Sequence, residues 1–497
     1  MGEGRQVLVV GGGNAALCAA ISAAEHGARV TLFERAPFDQ RGGNSRFTAG
    51  AMRVVYNGND DLKRLMPDLT QAEFDRADFG SYSREQFFDD LGRLTQYRTD
   101  PDLAETLIDE SLPTLQWMQS KGVRFLPLYG RQSFEVDGRV RFWGGLTVEA
   151  WGGGPGLVDS LTDIATKHGV TILYDARATD LVCEQGRVRG VTVSFGGVPD
   201  VYHADAVILA CGGFESSTTW RTRYLGAGWD LAKVRGTRFN TGDGIAMALS
   251  AGAAPRGHWS GCHAVAWDSN APEYGDLNVG DNFQKHSYPL GLIINNDGQR
   301  FVDEGADFRN FTYAKYGEAI LRQPRQSAWQ VFDAKVTKSL RDEYRIREVT
   351  KVSAGSIAEL AAKMDGMNET AFIQTVETFN AAVMTDIPFD PTTLDGRGTR
   401  GLSIPKSNWA NRLDEPPFEA YGVTCGITFT FGGLHIDRTA QVIAQDEKPI
   451  RGLFGAGELM GGLFYFNYPG GTGLTAGAVF GRIAGKNAAL QTGKEAS

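Results

Sequence analysis

Three glycine-rich stretches carry residues of the types and spacing needed to hold a dinucleotide. The first, Gly11-Gly-Gly-Asn-Ala-Ala16, follows an apolar strand from Val7 to Val10 and opens a small-residue helix. Glycines at 11 and 13 let the chain turn tightly and bring backbone N–H groups against a pyrophosphate at a helix N-terminus. A second strand, RVTLFE, ends at Glu34, where a ribose hydroxyl needs an acceptor. Ala16 replaces the third glycine of the usual fingerprint, a substitution the fingerprint tolerates. The second stretch, Arg41 to Met52, has enough glycine to lie against a planar ring, with Asn44 and Ser45 to hydrogen-bond it. The third comprises Gly455-Ala-Gly-Glu458, the loop from Gly461 to Leu474 and a helix reading TAGAVFGRIAG. Together they describe one flavin dinucleotide held at both ends.

Elements that position these stretches are spread along the chain, which predicts a discontinuous cofactor domain. Short β-rich runs from Gly169 to Val193 lead to the apolar strand AVILACGGF, Ala206 to Phe214, whose GG ending returns the chain to the cofactor. Asn240-Thr-Gly-Asp-Gly starts a helix, and Asp243 either caps it or receives a cofactor hydroxyl. Residues 84 to 122 alternate acidic and apolar positions at helical spacing, which predicts an amphipathic helical pair with a packing role.

Composition narrows the class. The 497 residues, 42% of them apolar, suffice for two or three domains with a substantial core. A net charge of −9 and the lack of a Lys/Arg block argue against a nucleic-acid partner. No signal pattern or long apolar span is found, so a cytoplasmic location without membrane insertion is expected. Cys18, Cys183, Cys211, Cys262 and Cys425 have no CxxC, haem or iron–sulfur spacing. Electrons must therefore pass to an outside acceptor, a quinone-linked partner or another carrier. Neither an HxxxH pair nor a carboxylate trio indicates a metal.

The chain resembles the fumarate reductase and succinate dehydrogenase flavoprotein superfamily over nearly its whole length. The resemblance rests on GGGNAA with Glu34, RGGNS at 41 to 45, Ala210-Cys-Gly-Gly213, Thr241-Gly-Asp-Gly244, GQRFVDE at 298 to 304, Thr430-Phe-Gly-Gly433, Gly455-Ala-Gly-Glu458 and Gly470-Gly-Thr-Gly-Leu474. GGNAALCAA, FTFGGL and FGRIAG are most similar to its tricarballylate dehydrogenase branch, with 3-ketosteroid Δ1-dehydrogenases more distant. It implies an α/β fold: a Rossmann-like, discontinuous FAD-binding domain at 1–256 and 426–497 around an inserted α+β capping domain at 257–425. FAD would be held noncovalently, because Asn44 lies near the position of the histidine that carries the covalent link in succinate dehydrogenases. The residues implied to hold it are Gly11, Gly13, Asn14, Ala15, Glu34 and Arg35; Gly43, Asn44, Ser45 and Gly50; Ala178, Ala210, Gly212 and Asp243; and Glu458, Gly473 and Leu474.

The implied activity is desaturation of a C–C bond beside a carboxylate or carbonyl, with a cyclic ketone substrate or a pure electron-transfer subunit as the alternatives. Departures from the family pattern bear on substrate. Thr337 stands where soluble fumarate reductases place an arginine proton donor, Phe429 and Tyr468 stand for their carboxylate-binding histidine and arginine, and Phe308 stands for the tyrosine base of ketosteroid dehydrogenases. Fumarate is therefore not the expected substrate. Desaturation needs a group that moves a proton beside the ring. The candidates are Tyr468, Tyr313, Tyr465 and Arg309, with Arg309 better suited to clamping an anion unless Glu304 relays a proton, or else tied in a surface ion pair to Asp303, Glu304 or Asp307. His258 or His263 is a candidate carboxylate contact at the cap entrance.

Overall fold

The computed structural model describes residues 4–491. Among these, the strand Gln6–Val10 lies at the centre of a nine-stranded sheet. It is flanked in parallel by Arg29–Phe33 and Ala206–Leu209, and Thr171–Leu173 and Pro449–Gly455 extend the parallel core on either side. Val7, Val9 and their partners Ala206 and Ile208 are fully buried, as expected of parallel strands covered on both faces. The chain therefore leaves this sheet after Arg29–Phe33 and returns to it from three distant segments. The helical pair read between 84 and 122 forms as Arg84–Leu94 and Pro101–Lys121, capped by Ser83 and Asp100.

The fingerprint helix Asn14–Glu25 packs directly on the C-terminal helix Thr472–Leu490. Gly477, Gly481 and Gly485 recur every four residues and so lie along one face of the latter. A Cβ at Gly481 would stand 2.4 Å from the Ala15 carbonyl oxygen, and one at Gly485 would stand 2.1 Å from that of Ala19. The stripe lets the two backbones touch, which brings the N-termini of both helices to one place. Asn14 seals this contact by donating its side-chain N–H to the Leu474 carbonyl at 2.8 Å.

A second sheet of six strands is organised by the 17-residue strand Phe418–Leu434. It pairs antiparallel with Pro255–Asp268, Ser327–Phe332 and Lys351–Ala354. The boundaries read at 256/257 and 425/426 both fall inside continuous strands, Pro255–Asp268 and Phe418–Leu434. A register shift between His258 and Cys262 sets His258 opposite Phe431 and His263 opposite Phe429. Helix Arg309–Leu321 packs across both long strands.

Candidate functional site

Two adjoining cavities run between the sheets. Asn14, Ala15, Asn44, Ser45, Gly457 and Glu458 line both, so the two form one elongated channel. At one end lie Gly11 to Ala15, Glu34, Arg35, Gly43, Ala178, Ala210, Gly212 and Asp243. Gly473 and Leu474 line the other end, at the start of the C-terminal helix. Glu34 is buried and accepts the Ala36 N–H at 2.8 Å. Burial pushes its carboxyl above the ordinary range, opposed by N–H groups of Ala36, Gly42, Arg35 and Gly12. A Cβ at Gly12 would lie 2.2 Å from the Glu34 carboxylate. The fit to FAD is direct: a long channel on which two helix N-termini converge where its two cavities join, and an acceptor carboxylate beside the glycine turn. Gly12→Ala is expected to weaken FAD binding about 10- to 100-fold, the equivalent of ~1–3 kcal/mol of overpacking. Titrating apoprotein with FAD and following flavin fluorescence checks this, and unchanged affinity would remove Glu34 from the cofactor cradle.

Several candidate cofactor residues spend their side chains on the protein itself. Asn44 donates to Glu215 at 2.7 Å and to the Thr428 carbonyl at 2.6 Å, and accepts the Thr237 N–H at 2.9 Å. Its side chain thus stitches three segments together beneath the channel, and only its flank faces the cavity. Asp243 accepts from Arg35 at 3.1 Å and Arg177 at 2.9 Å and makes no cap bond to its helix, whose N-cap is Gly242. Gly50 does not line the channel; it has φ 74°, and a Cβ there would meet the Gly153 backbone at 2.7 Å, so its role is close packing. Glu215 is fully buried and Glu458 lies half-buried on the channel wall, and Asn240 donates to both, at 2.7 and 3.5 Å. Burial and the neighbouring Glu215 hold the Glu458 carboxyl well above its ordinary value.

Beyond Gly473 the channel opens into a chamber with two unlike walls. One is aromatic: Phe429, Phe431, Phe464 and Tyr468, with ring centroids 5.1–6.2 Å apart. The other carries Arg131, Arg235 and Arg309. Asp281 takes both Arg235, at 2.7 Å, and Arg131, at 2.5 Å, so it neutralises one of these two. Arg309 donates to the Arg131 carbonyl at 2.9 Å and to Gln132, and its Nε has no partner. It makes no ion pair with Asp303, Glu304 or Asp307: Glu304 is bound by Arg300, Asp307 by Arg93, and Asp303 by Ser407. Glu304 therefore offers Arg309 no direct proton relay.

Arg309 and Tyr313 are one turn apart on the helix Arg309–Leu321, so they face the chamber together. The loop after Phe464 is tied to the first turn of that helix. Gly470 N–H donates to the Asn310 carbonyl at 2.8 Å, and Asn467 donates to that of Phe311 at 2.7 Å. Buried Arg53 holds the same loop through the Gly470 carbonyl at 2.9 Å. These ties bring the Tyr468 hydroxyl into hydrogen-bond contact with that of Tyr313. Burial raises both phenols above their ordinary range, and Tyr313 raises Tyr468 further, outweighing the nearby Arg235. Both stay protonated at neutral pH and serve as hydrogen-bond donors.

Tyr465 and His258 lie outside the chamber. Their rings stack on one another at 6.0 Å, and His258 Nδ1 accepts the Phe466 N–H at 3.0 Å. The bulge that follows His258 is the cause, since it hands the chamber-facing place to His263. Thr337 is also remote from the chamber, its hydroxyl bonded to the Asp333 carbonyl at 2.9 Å; the arginines on the chamber wall are Arg131, Arg235 and Arg309. Arg131, Arg235 and Asp281 were absent from the sequence reading because they share no motif. Arg235 and Asp281 are 46 residues apart and Arg131 lies 150 from Asp281, and only the fold pairs them. Among the described residues no group of three or more His, Cys, Asp or Glu could hold a metal, and no helix is long and apolar enough to cross a membrane.

His263 and His286 are buried with both ring nitrogens unpartnered. Burial, followed by Arg235 for His263 and by Arg309 and Arg235 for His286, holds both well below the usual histidine range. In the unfolded chain both would titrate near pH ~6.5. The unfolded state thus binds more protons below that pH. Stability from these groups is complete above pH ~6.5 and falls on acidification, by up to ~1.4 kcal/mol per pH unit per histidine. His286→Asn is expected to flatten the decline measured by urea unfolding between about pH 7.5 and 5.5; an unchanged slope would mean that His286 titrates in the native state as it does in the unfolded chain.

Comparison with known proteins agrees with this geometry. A family model described as FAD binding domain matches residues 6–474. The chain is 30% identical over 491 residues to a probable fumarate reductase of Shewanella frigidimarina strain NCIMB 400, covering 98% of this chain and 75% of that protein. It is 26% identical to 4-oxocyclohexanecarboxylate 2-dehydrogenase of Sinomonas cyclohexanicum, covering 99% and 95%. The open conformation of a flavocytochrome c3 fumarate reductase superposes with a TM-score of 0.71 at 28% identity, covering 98% of this chain and 78% of that one. With its dinucleotide channel built from both ends of the chain, the protein belongs to the FAD binding domain family, within the fumarate reductase and succinate dehydrogenase flavoprotein superfamily, and is an FAD-dependent oxidoreductase.

Proposed function

We propose that the protein interconverts a C–C single and double bond beside a carboxylate in a substrate with an apolar body, using noncovalently bound FAD and an external electron carrier in the cytoplasm. The observation that carries this is the pairing of an aromatic wall with three arginines, of which Arg309 has no acidic partner. FAD supplies two-electron acceptance or donation at the Gly473 end of the channel. Arg309 clamps the carboxylate, and the Phe429, Phe431 and Phe464 wall fixes the rest of the substrate and keeps water out. The Tyr313–Tyr468 pair donates a hydrogen bond, or a proton, to the substrate from its hydroxyl groups.

Three arginines and Asp281 leave two net positive charges in the chamber, one fewer than three carboxylates need. A mono- or dicarboxylate is therefore favoured over tricarballylate itself. A second reading, desaturation of a cyclic ketone, is supported by the paired phenols, which can polarise a carbonyl, and by the likeness to an oxocyclohexanecarboxylate dehydrogenase.

The test is anaerobic bleaching of the flavin by tricarballylate, succinate, single-ring carboxylates and cyclic ketones, together with reoxidation of reduced enzyme by their unsaturated counterparts. Fastest exchange with an apolar-bodied carboxylate, slowed about 10²- to 10⁴-fold in Tyr468→Phe, is the expected result. Exchange with ketones alone selects the second reading, and exchange with none of the panel overturns both.

A further inference from the structure

Two carboxyls meet where the two cavities of the channel join. Glu215 follows the strand Ala206–Leu209 and Glu458 follows Pro449–Gly455, and these strands are parallel neighbours, so the turns at their C-terminal ends deliver both acids to one place. Gly213 leaves the room for this, since a Cβ there would stand 2.2 Å from Glu458 Oε1. Glu215 is fully buried, whereas Glu458 lines both cavities. The side-chain amide of Asn240 reaches both acids, at 2.7 and 3.5 Å, and the two carboxyls lie within hydrogen-bond reach of one another.

The donors around the pair are neutral and too few. Glu215 Oε1 accepts from Asn44 and from Asn240, each at 2.7 Å, while its Oε2 has no donor. Glu458 Oε1 accepts the Thr430 N–H at 2.9 Å. The charged or titratable side chains that act on Glu215 from other elements are Arg221, whose N–H groups go to the Ala232 and Asp230 carbonyls, and Cys262, whose thiol burial keeps protonated. Two ionised carboxylates in contact, one of them cut off from water, do not persist without a bonded cation. A proton between them removes one charge and gives Glu215 Oε2 the donor it lacks. Asn44, Asn240 and Thr430 already donate to the other oxygens, which favours one remaining negative charge over a second proton.

We propose that Glu215 and Glu458 hold a single proton between them, and that this proton keeps the channel wall from presenting two negative charges to the anionic dinucleotide. Glu215 is thus a positioning residue that acts on FAD through Glu458. The pair titrates as a unit, and loss of its proton at alkaline pH places a second negative charge beside the channel and weakens FAD binding. This holds whichever substrate the chamber accepts.

Infrared difference spectra of the apoprotein at about pH 7 provide the test, together with FAD titrations from about pH 7 to 9.5. Glutamine at either position supplies an N–H in place of the shared proton and keeps a carbonyl acceptor. Wild type should therefore show one deuterium-sensitive protonated-carboxyl band that is lost in Glu215→Gln and equally in Glu458→Gln, with no further band lost in the double variant. Glu34 and Glu149, which burial also raises, are common to all four proteins and cancel in the differences. As the band fades with rising pH, the wild-type Kd for FAD should rise about tenfold or more, while that of Glu215→Gln stays within about threefold. No band lost in either single variant, or a further band lost in the double variant, would overturn the shared proton. A band that fades without a change in FAD affinity, or an equal alkaline weakening in Glu215→Gln, would overturn its role toward the cofactor. Either single variant gives the first difference on its own, so misfolding of one leaves the result readable.

Discussion

Arg309→Ala is expected to lower kcat/KM for an anionic substrate by about 10²- to 10³-fold, a loss of ~3–4 kcal/mol, while FAD content stays unchanged. The side chain borders the substrate chamber and does not reach the dinucleotide half of the channel. Its partners, the Arg131 carbonyl and Gln132, are neutral, so its positive charge is available to a ligand. Removing it takes away one of the chamber's two net positive charges, carried by the arginine that contacts no carboxylate, and the substrate carboxylate loses its direct partner. Arg309→Lys should recover only part of the loss, because a point charge cannot reproduce the planar fork of N–H donors. An uncharged ketone substrate should lose far less. Steady-state kinetics with both substrate types check this. Equal losses for the acid and the ketone would assign Arg309 a packing role, and full activity of the alanine variant would remove it from the site.

The second large effect is expected far from the chemistry. Gly481→Leu should destabilise the protein by about 3 kcal/mol or more and strip it of FAD, whereas Lys486→Leu on the exposed face of the same helix should stay within about 0.5 kcal/mol of wild type. At Gly481 the added Cβ would meet the Ala15 backbone oxygen at 2.4 Å, and a backbone atom has no rotamer by which to move aside. The two helices must separate. That separation breaks the Asn14–Leu474 bond and pulls apart the two helix N-termini that flank the flavin end of the channel. Thermal unfolding with and without added FAD, together with flavin content after gel filtration, checks the outcome. A stable, fully loaded Gly481→Leu protein would mean that the helix contact does not set the cofactor site.

How far the sequence reached can be seen in individual residues. Gly11, Gly13, Glu34, Gly473 and Leu474 were legible because backbone approach and a single acceptor carboxylate impose residue types at short spacing, and all five line the channel. Tyr313 and Tyr468 were named separately; their contact across 155 positions needed the ties from Asn310, Asn467 and Arg53 to the C-terminal loop. Asn44 lay in the right loop, but its side chain turns to Glu215 and Thr428, partners that no local pattern reveals. A bulge of a few residues in Pro255–Asp268 put His263 rather than His258 in the chamber, since a shift of register in a strand changes which face a side chain occupies.

By itself, then, the sequence determined the α/β class, the dinucleotide and the chain segments that line its channel, because those follow from local turn chemistry and helix termini. Only the tertiary structure decided the charge of the substrate chamber and the committed partners of Asn44 and Asp243. Each of these depends on side chains tens to hundreds of positions apart, and Coulomb and desolvation energies act on distance in space, which local spacing does not encode.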